Sequence, residues 1–154
     1  MIKNKPPFLL ALLSIVIAFS TTSLSQIHAN YDEYKDCSES TIALYTQSSV
    51  DSFQATYGPC DRVSQDLLIT GGDITDIDGL TNLNIIGRDL LIRSNSVLTN
   101  VDGLSGILNV GRRLGISDNP VLDNLNGLSD LQEVGGTLEV LQNNALTSLS
   151  GLSS

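Results

Sequence analysis

Three carboxylates, Asp73, Asp76 and Asp78, lie within six residues of one another and form a candidate site for chemistry. Calcium prefers oxygen ligands, and clustered carboxylates supply them. The spacing lacks the complete oxygen-rich loop of a known calcium motif, which favours solvated turn residues over a metal site. We therefore predict no cofactor, with calcium at these three residues as the alternative.

The acidic positions of the repeats do not follow the pattern of catalytic carboxylates. Asp76 and Asp78 align with amides, a carboxylate and hydroxyls in later repeats: Asn100 and Asp102, Asn124 and Asn126, and Ser148 and Ser150. A position that accepts all three groups suits a turn, whereas acid–base catalysis requires a specific group. His28 is the only histidine and falls in a predicted leader, which excludes a Ser-His-Asp triad. We predict that the chain is not an enzyme, with a polysaccharide-active enzyme as the alternative.

Residues 1–29 have the pattern of a secretory signal peptide. Lys3 and Lys5 form a basic start, residues 8–19 form an apolar run of twelve, and small polar residues follow. Twelve apolar residues are too few to span a bilayer comfortably, which favours a cleaved leader over a membrane anchor. We predict cleavage after Ser25 or Ala29 and a secreted or cell-surface location.

The charge balance limits the class of partner. Removal of the two leader lysines leaves 8 − 2 = 6 basic residues against 17 acidic ones, a formal charge of 6 − 17 = −11. Nucleic-acid binding depends on basic contacts to phosphate, so a DNA or RNA partner is excluded. The negative charge serves solubility or attracts a basic protein face.

Two cysteines, Cys37 and Cys60, remain after the leader. Thiols of exported proteins tend to oxidise, so we predict a disulfide between them. Closing this loop stabilises the fold by about 3 kcal/mol in the chain-entropy model. Two cysteines without a histidine make a weak metal site.

Residues 78–149 consist of three 24-residue units without insertion, and each unit carries apolar side chains at the same seven places. Such a period predicts stacked coils that share one core, each with one strand in a parallel sheet. The predicted core positions are Leu80, Leu83, Ile86, Leu90, Ile92, Leu98 and Val101, then Leu104, Ile107, Val110, Leu114, Ile116, Leu122 and Leu125, then Leu128, Leu131, Val134, Leu138, Val140, Leu146 and Leu149.

Alternation along each strand predicts which side chains face outward. Leu90 and Ile92 point to the core, so Asp89, Leu91 and Arg93 point to solvent. Exposed leucines beside arginines are typical of protein-binding patches. The candidate partner-binding residues are Leu68, Leu91, Arg93, Arg113, Glu139 and Leu141. The alternative is a face of incidental leucines with a cross-strand pair between Asp89 and Arg113.

Three further columns of residues recur every 24 positions. One glycine column, Gly87, Gly111 and Gly135, lies just before the strands, and a second recurs at Gly79, Gly103, Gly127 and Gly151. Glycine at a corner permits backbone angles that other residues avoid, and we predict such angles at both columns. Asparagines form the third column at Asn95, Asn119 and Asn143. Their stacked amides are predicted to satisfy backbone groups at a turn, a structural role.

Residues 30–62 lack the period and form a predicted N-terminal cap. Residues 42–46 alternate as in a short strand, and Ser48 with Asp51 has the form of a helix capping box. Gly58 and Pro59 end that helix. The first coil begins near Val63 and is one residue short, since DLLI at 66–69 precedes DLLI at 89–92 by 23 residues.

The repeats, the segment TQSSVDSF and the cysteines on either side of it resemble the receptor L-domain family. The strongest marks are that segment and the pattern GL…L…IG…L.I..N..L..V, and the similarity covers residues 42–154. The family includes the extracellular L domains of insulin and epidermal growth factor receptors and many secreted microbial proteins. The resemblance implies a right-handed β-solenoid that binds other macromolecules, without implying receptor signalling.

These patterns predict an all-β chain: a short right-handed parallel β-solenoid over residues 63–154, with 24-residue coils and an N-terminal cap at 30–62 that contains a short helix. We expect an exported, non-enzymatic binding or adhesion module for a protein or cell-surface partner, with a structural envelope or matrix protein as a further alternative. A fourth unit starts at Ser150 and is incomplete. The expectation is therefore a chain truncated at this end, or end-to-end self-association through the uncapped last coil.

Overall fold

The computed structural model describes residues 34–153. The predicted signal peptide, its cleavage after Ser25 or Ala29, and His28 lie outside the described residues. Apart from Tyr34, everything described belongs to one compact unit, Lys35–Ser154.

Short parallel strands form two sheets. The five-stranded sheet has the order β1-β3-β5-β7-β9, and the four-stranded sheet has the order β2-β4-β6-β8. The first contains β1 (Ile42–Leu44), β3 (Leu67–Ile69), β5 (Leu90–Arg93), β7 (Leu114–Ser117) and β9 (Leu138–Leu141). The second contains β2 (Arg62–Val63), β4 (Ile85–Ile86), β6 (Asn109–Val110) and β8 (Glu133–Val134). Neighbours in each sheet come from successive repeats, so the mainly parallel β architecture is confirmed.

The strand register follows the sequence repeat. Leu90 pairs with Leu114, and Leu114 pairs with Leu138, at the 24-residue interval. The prediction of one strand per unit was wrong, because each unit also contributes a two-residue strand to the second sheet. Each unit further contains a 3-10 turn: Asp78–Leu80, Asp102–Leu104, Asn126–Leu128 and Ser150–Leu152.

The core follows the predicted apolar positions in the first two units and thins out in the third. All fourteen positions of the first two units are at most 1% exposed. In the third unit Leu128 and Leu131 are buried, while Leu138 is 49% and Leu149 55% exposed. Among the described residues, the third unit has a neighbouring unit on one side only, which explains the difference.

The segment before the repeats covers the other end of the stack. Strand β1 adds a parallel partner to β3, and helices α1 (Gln47–Asp51) and α2 (Phe53–Tyr57) lie against the first 3-10 turn. Val50 and Phe53 are fully buried there. The predicted disulfide between Cys37 and Cys60 is present. It joins this segment to the chain directly before β2.

The helix begins earlier than the sequence pattern predicts. Thr46 caps α1, because its side chain accepts a hydrogen bond from the Ser49 amide at 3.2 Å. The Ser49 hydroxyl accepts one in return from the Thr46 amide, also at 3.2 Å. The capping box therefore uses Thr46 and Ser49 instead of Ser48 and Asp51, since Thr46 has the extended backbone that an N-cap requires.

The recurring glycines serve close approach of the backbone, and the prediction of unusual backbone angles at them was wrong. Among the described glycines only Gly58 has a positive φ. A Cβ on Gly103 would overlap the carbonyl oxygen of Ile77, and one on Gly127 would overlap that of Val101. The same overlap occurs at Gly87, Gly111 and Gly135 against the preceding unit. Each glycine lets one unit stack directly on the backbone of the last.

The asparagine column is a continuous hydrogen-bonded ladder. The Asn119 side-chain oxygen accepts from the Asn95 amide at 3.1 Å and from the Asn95 side-chain nitrogen at 2.9 Å. The Asn119 side-chain nitrogen donates to the Ile92 carbonyl at 3.0 Å and to the Asn143 side chain at 3.1 Å. Asn95 and Asn119 are completely buried, so these bonds satisfy polar groups that water cannot reach.

Replacement of the central asparagine tests the ladder. We expect Asn119→Ala to lower the free energy of unfolding by about 3 kcal/mol, because it removes the acceptor of the buried Asn95 backbone amide and of one Asn95 side-chain N–H, together with the bonds that Asn119 donates to Ile92 and Asn143. Urea denaturation followed by circular dichroism measures the change. Asn144→Ala, at an exposed position of the next unit, is the matched control. Equal midpoints for the two variants would contradict a stabilising role for the ladder.

A second pair of variants tests the glycine contacts. We expect Gly103→Ala to destabilise the fold by about 3 kcal/mol or more, because the new methyl group meets a carbonyl oxygen of the adjacent unit. Gly72→Ala should stay within about 0.5 kcal/mol of the wild type, since the nearest atom to its Cβ is the Ser96 hydroxyl at 3.7 Å. Thermal unfolding compares them, and similar melting temperatures would refute the proposed steric constraint.

Candidate functional site

The outer face of the five-stranded sheet carries the predicted partner-binding residues. Outward side chains alternate with buried ones. In β5 the buried residues Leu90 and Ile92 alternate with the half-buried Leu91 and the exposed Arg93. Strand pairing places Leu68, Leu91, Gly115 and Glu139 in one row across the sheet. The next outward row contains Arg93, Ser117 and Leu141.

A depression of about 140 Å³ lies on this face, over the strands β5, β7 and β9. Five of the six predicted residues line it: Leu91, Arg93, Arg113, Glu139 and Leu141. The sixth, Leu68, is half-buried two strands from Gly115 in the same row and does not line the depression. The structure thus brings most of the candidates together on one concave surface.

Gly115 makes the depression possible, and sequence reasoning did not assign it a role. It occupies the position that holds Leu91 in one neighbouring strand and Glu139 in the other. A Cβ on Gly115 would lie 3.0 Å from Leu91 Cδ2 and 3.4 Å from Arg113 Nε. Even a methyl group would therefore occupy space between these two side chains. The sequence did contain a signal for this role, because Gly115 is the one glycine in a row whose other members are large.

The ion pairs differ from the predicted cross-strand pair of Asp89 with Arg113. The Arg113 guanidinium pairs instead with the Glu139 carboxylate, across from β7 to β9. Asp89 accepts a hydrogen bond from the backbone amide of Arg113 at 3.2 Å and pairs with Arg112 at 3.7 Å. Arg113 precedes the strand directly, so its long side chain reaches over Gly115 toward the next strand.

Arg93 differs from the other arginines within residues 34–153. Four of these five arginines form ion pairs: Arg62 with Asp36, Arg88 with Asp66, Arg112 with Asp89, and Arg113 with Glu139. Arg93 has no ion-pair partner in the part of the chain that the structure describes, and its side chain is exposed. It lines the depression as a cation that no carboxylate of this chain neutralises there.

A column of left-handed residues borders the site. Ser94 and Asp118 have φ of 58° and Gln142 has φ of 54°, values uncommon outside glycine. Asp118 and Gln142 line the depression. The short first coil, which precedes the three units, lacks this residue, because Gly71 takes the place of Asn95 and its backbone amide donates to the Asn95 side chain at 2.9 Å, as that of Asn95 does to Asn119. The one-residue deficit was the signal in the sequence.

The acidic residues Asp73, Asp76 and Asp78 do not converge. Within residues 34–153 no three His, Cys, Asp or Glu side chains are placed to hold a metal ion. Two of the carboxylates contact Gln47 of α1 instead, whose amide nitrogen donates to Asp76 at 3.4 Å and whose backbone amide donates to Asp73 at 3.3 Å. The Gln47 side-chain oxygen accepts from the Thr75 amide at 2.7 Å. This glutamine, which the sequence did not single out, connects the helix to the first repeat.

Comparison with family models, with characterised proteins and with solved structures found no match to this chain. No helix within residues 34–153 is long and apolar enough to cross a membrane.

The contacts of Gln47 generate a stability prediction. We expect Gln47→Ala to lower the free energy of unfolding by about 1–2 kcal/mol, because it removes the acceptor of the Thr75 and Asp76 amides. Gln132→Ala, at an exposed position, provides the control with the same truncation. Urea denaturation in the presence and absence of millimolar calcium measures both. A calcium-dependent increase in stability of the wild type would contradict the prediction that Asp73, Asp76 and Asp78 bind no metal.

Proposed function

We propose that this chain is a short right-handed parallel β-solenoid of the receptor L-domain type, with 24-residue coils. The support is the register: successive strands of both sheets come from successive units, and the glycine and asparagine columns stack with the same interval. On this proposal residues 30–62 are the N-terminal cap, and residues 1–29 are a signal peptide that directs the protein to the medium or the cell surface.

The function that the site supports best is an exported binding or adhesion module that recognises a protein or cell-surface partner through the outer face of the five-stranded sheet. One observation carries this proposal: Leu91, Leu141 and Arg93, which has no ion pair within residues 34–153, line a single depression on that face. Leu141 is 51% exposed. Apolar side chains beside arginine are the composition of interface centres.

The carboxylates of this face favour binding over catalysis. Asp66, Asp89 and Glu139 each form an ion pair with an arginine of the neighbouring repeat or strand. Glycoside hydrolysis uses two carboxyl groups held on either side of a bond, one of them as a proton donor. These three carboxylates are instead engaged by arginines of this chain, an arrangement typical of structural ion pairs.

A capture experiment tests the proposed face. We expect full-length wild type to retain partners from the culture medium or cell surface of its source, and Leu91→Asp with Arg93→Glu to retain at least tenfold less, because both residues line the depression. The partners are quantified by mass spectrometry.

The control carries the same types of change away from the depression, at the exposed residues Val121 and Arg88, as Val121→Asp with Arg88→Glu. It should capture as the wild type does. Equal capture by all three proteins would eliminate the proposed face. Release of reducing sugar or unsaturated product from acidic polysaccharides by the purified protein would instead establish an enzyme.

A further inference from the structure

We propose that the depression over Gly115 receives an acidic side chain of a polypeptide partner, with Arg93 as its counter-ion and Leu91 and Leu141 packing against apolar residues beside it. This inference rests on the proposed function and specifies the chemistry of the partner. It concerns one side chain of the ligand and Arg93, which has no ion pair within residues 34–153.

The shape of the depression fits a single side chain. Its volume of about 140 Å³ corresponds to a few water molecules, each with a share of about 30 Å³ of liquid. The floor is Gly115 and the buried Ile116, and the walls come from strands on either side. A single short side chain, such as a carboxylate, fits such a space.

Four charged side chains line the depression: Arg113 pairs with Glu139, while Arg93 and Asp118 have no ion pair within residues 34–153. Glu139 neutralises Arg113 within the site, so Arg113 fixes the wall between β7 and β9. Arg93 is exposed on the opposite side and has no ion pair within residues 34–153. A carboxylate from a partner would complete the same arrangement, an arginine paired with an acid, that the other four arginines already have. Charge-assisted hydrogen bonds to guanidinium are the strong ones.

The rest of the surface favours a polypeptide over an acidic polysaccharide. A polyanion repeats its charges and requires several free cations, while the chain as a whole carries a formal charge of −9. No aromatic residue occurs after Tyr57, so the repeats offer no ring for stacking against sugars. Leu91, two residues before Arg93 in the same strand, and Leu141, two strands away in the row of Arg93, instead match an acidic residue with apolar neighbours.

Nuclear magnetic resonance with a matched peptide pair tests the proposal. The ¹⁵N-labelled full chain is titrated with the acetylated, amidated peptide Ala-Leu-Glu-Leu-Ala and with its Ala-Leu-Gln-Leu-Ala counterpart. We expect saturable shifts of the Arg93 Nε–H and of the Gly115 and Ser117 amides with the glutamate peptide. The glutamine peptide should bind about tenfold more weakly, because one charge-assisted hydrogen bond is lost.

Variants of the protein separate charge from shape. Arg93→Gln should weaken binding of the glutamate peptide about tenfold and leave the glutamine peptide unchanged. Gly115→Ala should weaken both peptides, because its methyl group enters the depression against the flexible end of Leu91. Arg88→Gln removes one positive charge outside the depression and should bind as the wild type does. Urea midpoints of all variants establish that each is folded.

Three outcomes would overturn the inference: equal affinity for the two peptides, no saturable shift up to about 10 mM peptide, or tighter binding of polygalacturonate than of the glutamate peptide. Such a result leaves the proposed function standing if Leu91→Asp with Arg93→Glu still abolishes capture of the partner. Loss of the proposed function is recognised separately, by equal capture in that experiment.

Discussion

The close stacking of each 24-residue unit on the backbone of the one before is the constraint on which the whole structure depends. Carbonyl oxygens of one unit lie where a Cβ of the next would be, and only glycine fits at those positions. The buried asparagine ladder runs alongside and satisfies the backbone groups that the turn exposes to the core. Together they fix the spacing and the register between units, and the apolar core fills the space that remains.

This regular stack provides a rigid platform for the outward side chains. Positions on the outer face contribute little to the core, so the residues there are free to vary from unit to unit, as the row Leu68, Leu91, Gly115 and Glu139 does. Residues on this face can therefore change without loss of the core packing, the glycine contacts or the asparagine ladder. The depression at Gly115 arises in this way, from one missing side chain in a row of larger ones.

Several features of the site were not evident in the sequence. The pairing of Arg113 with Glu139 instead of Asp89 depends on which direction a long side chain takes over a glycine. The role of Gln47 depends on a helix being held against the first repeat, where its amide bonds both to backbone and to carboxylates. The left-handed residues Ser94 and Gln142 are of types that rarely adopt this conformation, so only their alignment with a one-residue deficit could have indicated them.

The sequence by itself determined the period, the buried positions of the first two units, the parallel strands of the larger sheet and the disulfide between Cys37 and Cys60, because these follow from spacing and residue type alone. The tertiary structure decided the rest. It showed that the repeated glycines avoid steric overlap instead of adopting special angles, that each unit adds a second short strand, and that Arg93 alone among five described arginines has no ion pair. These features depend on atoms that are about 24 residues apart in the chain and in contact in space, and no local pattern specifies such contacts.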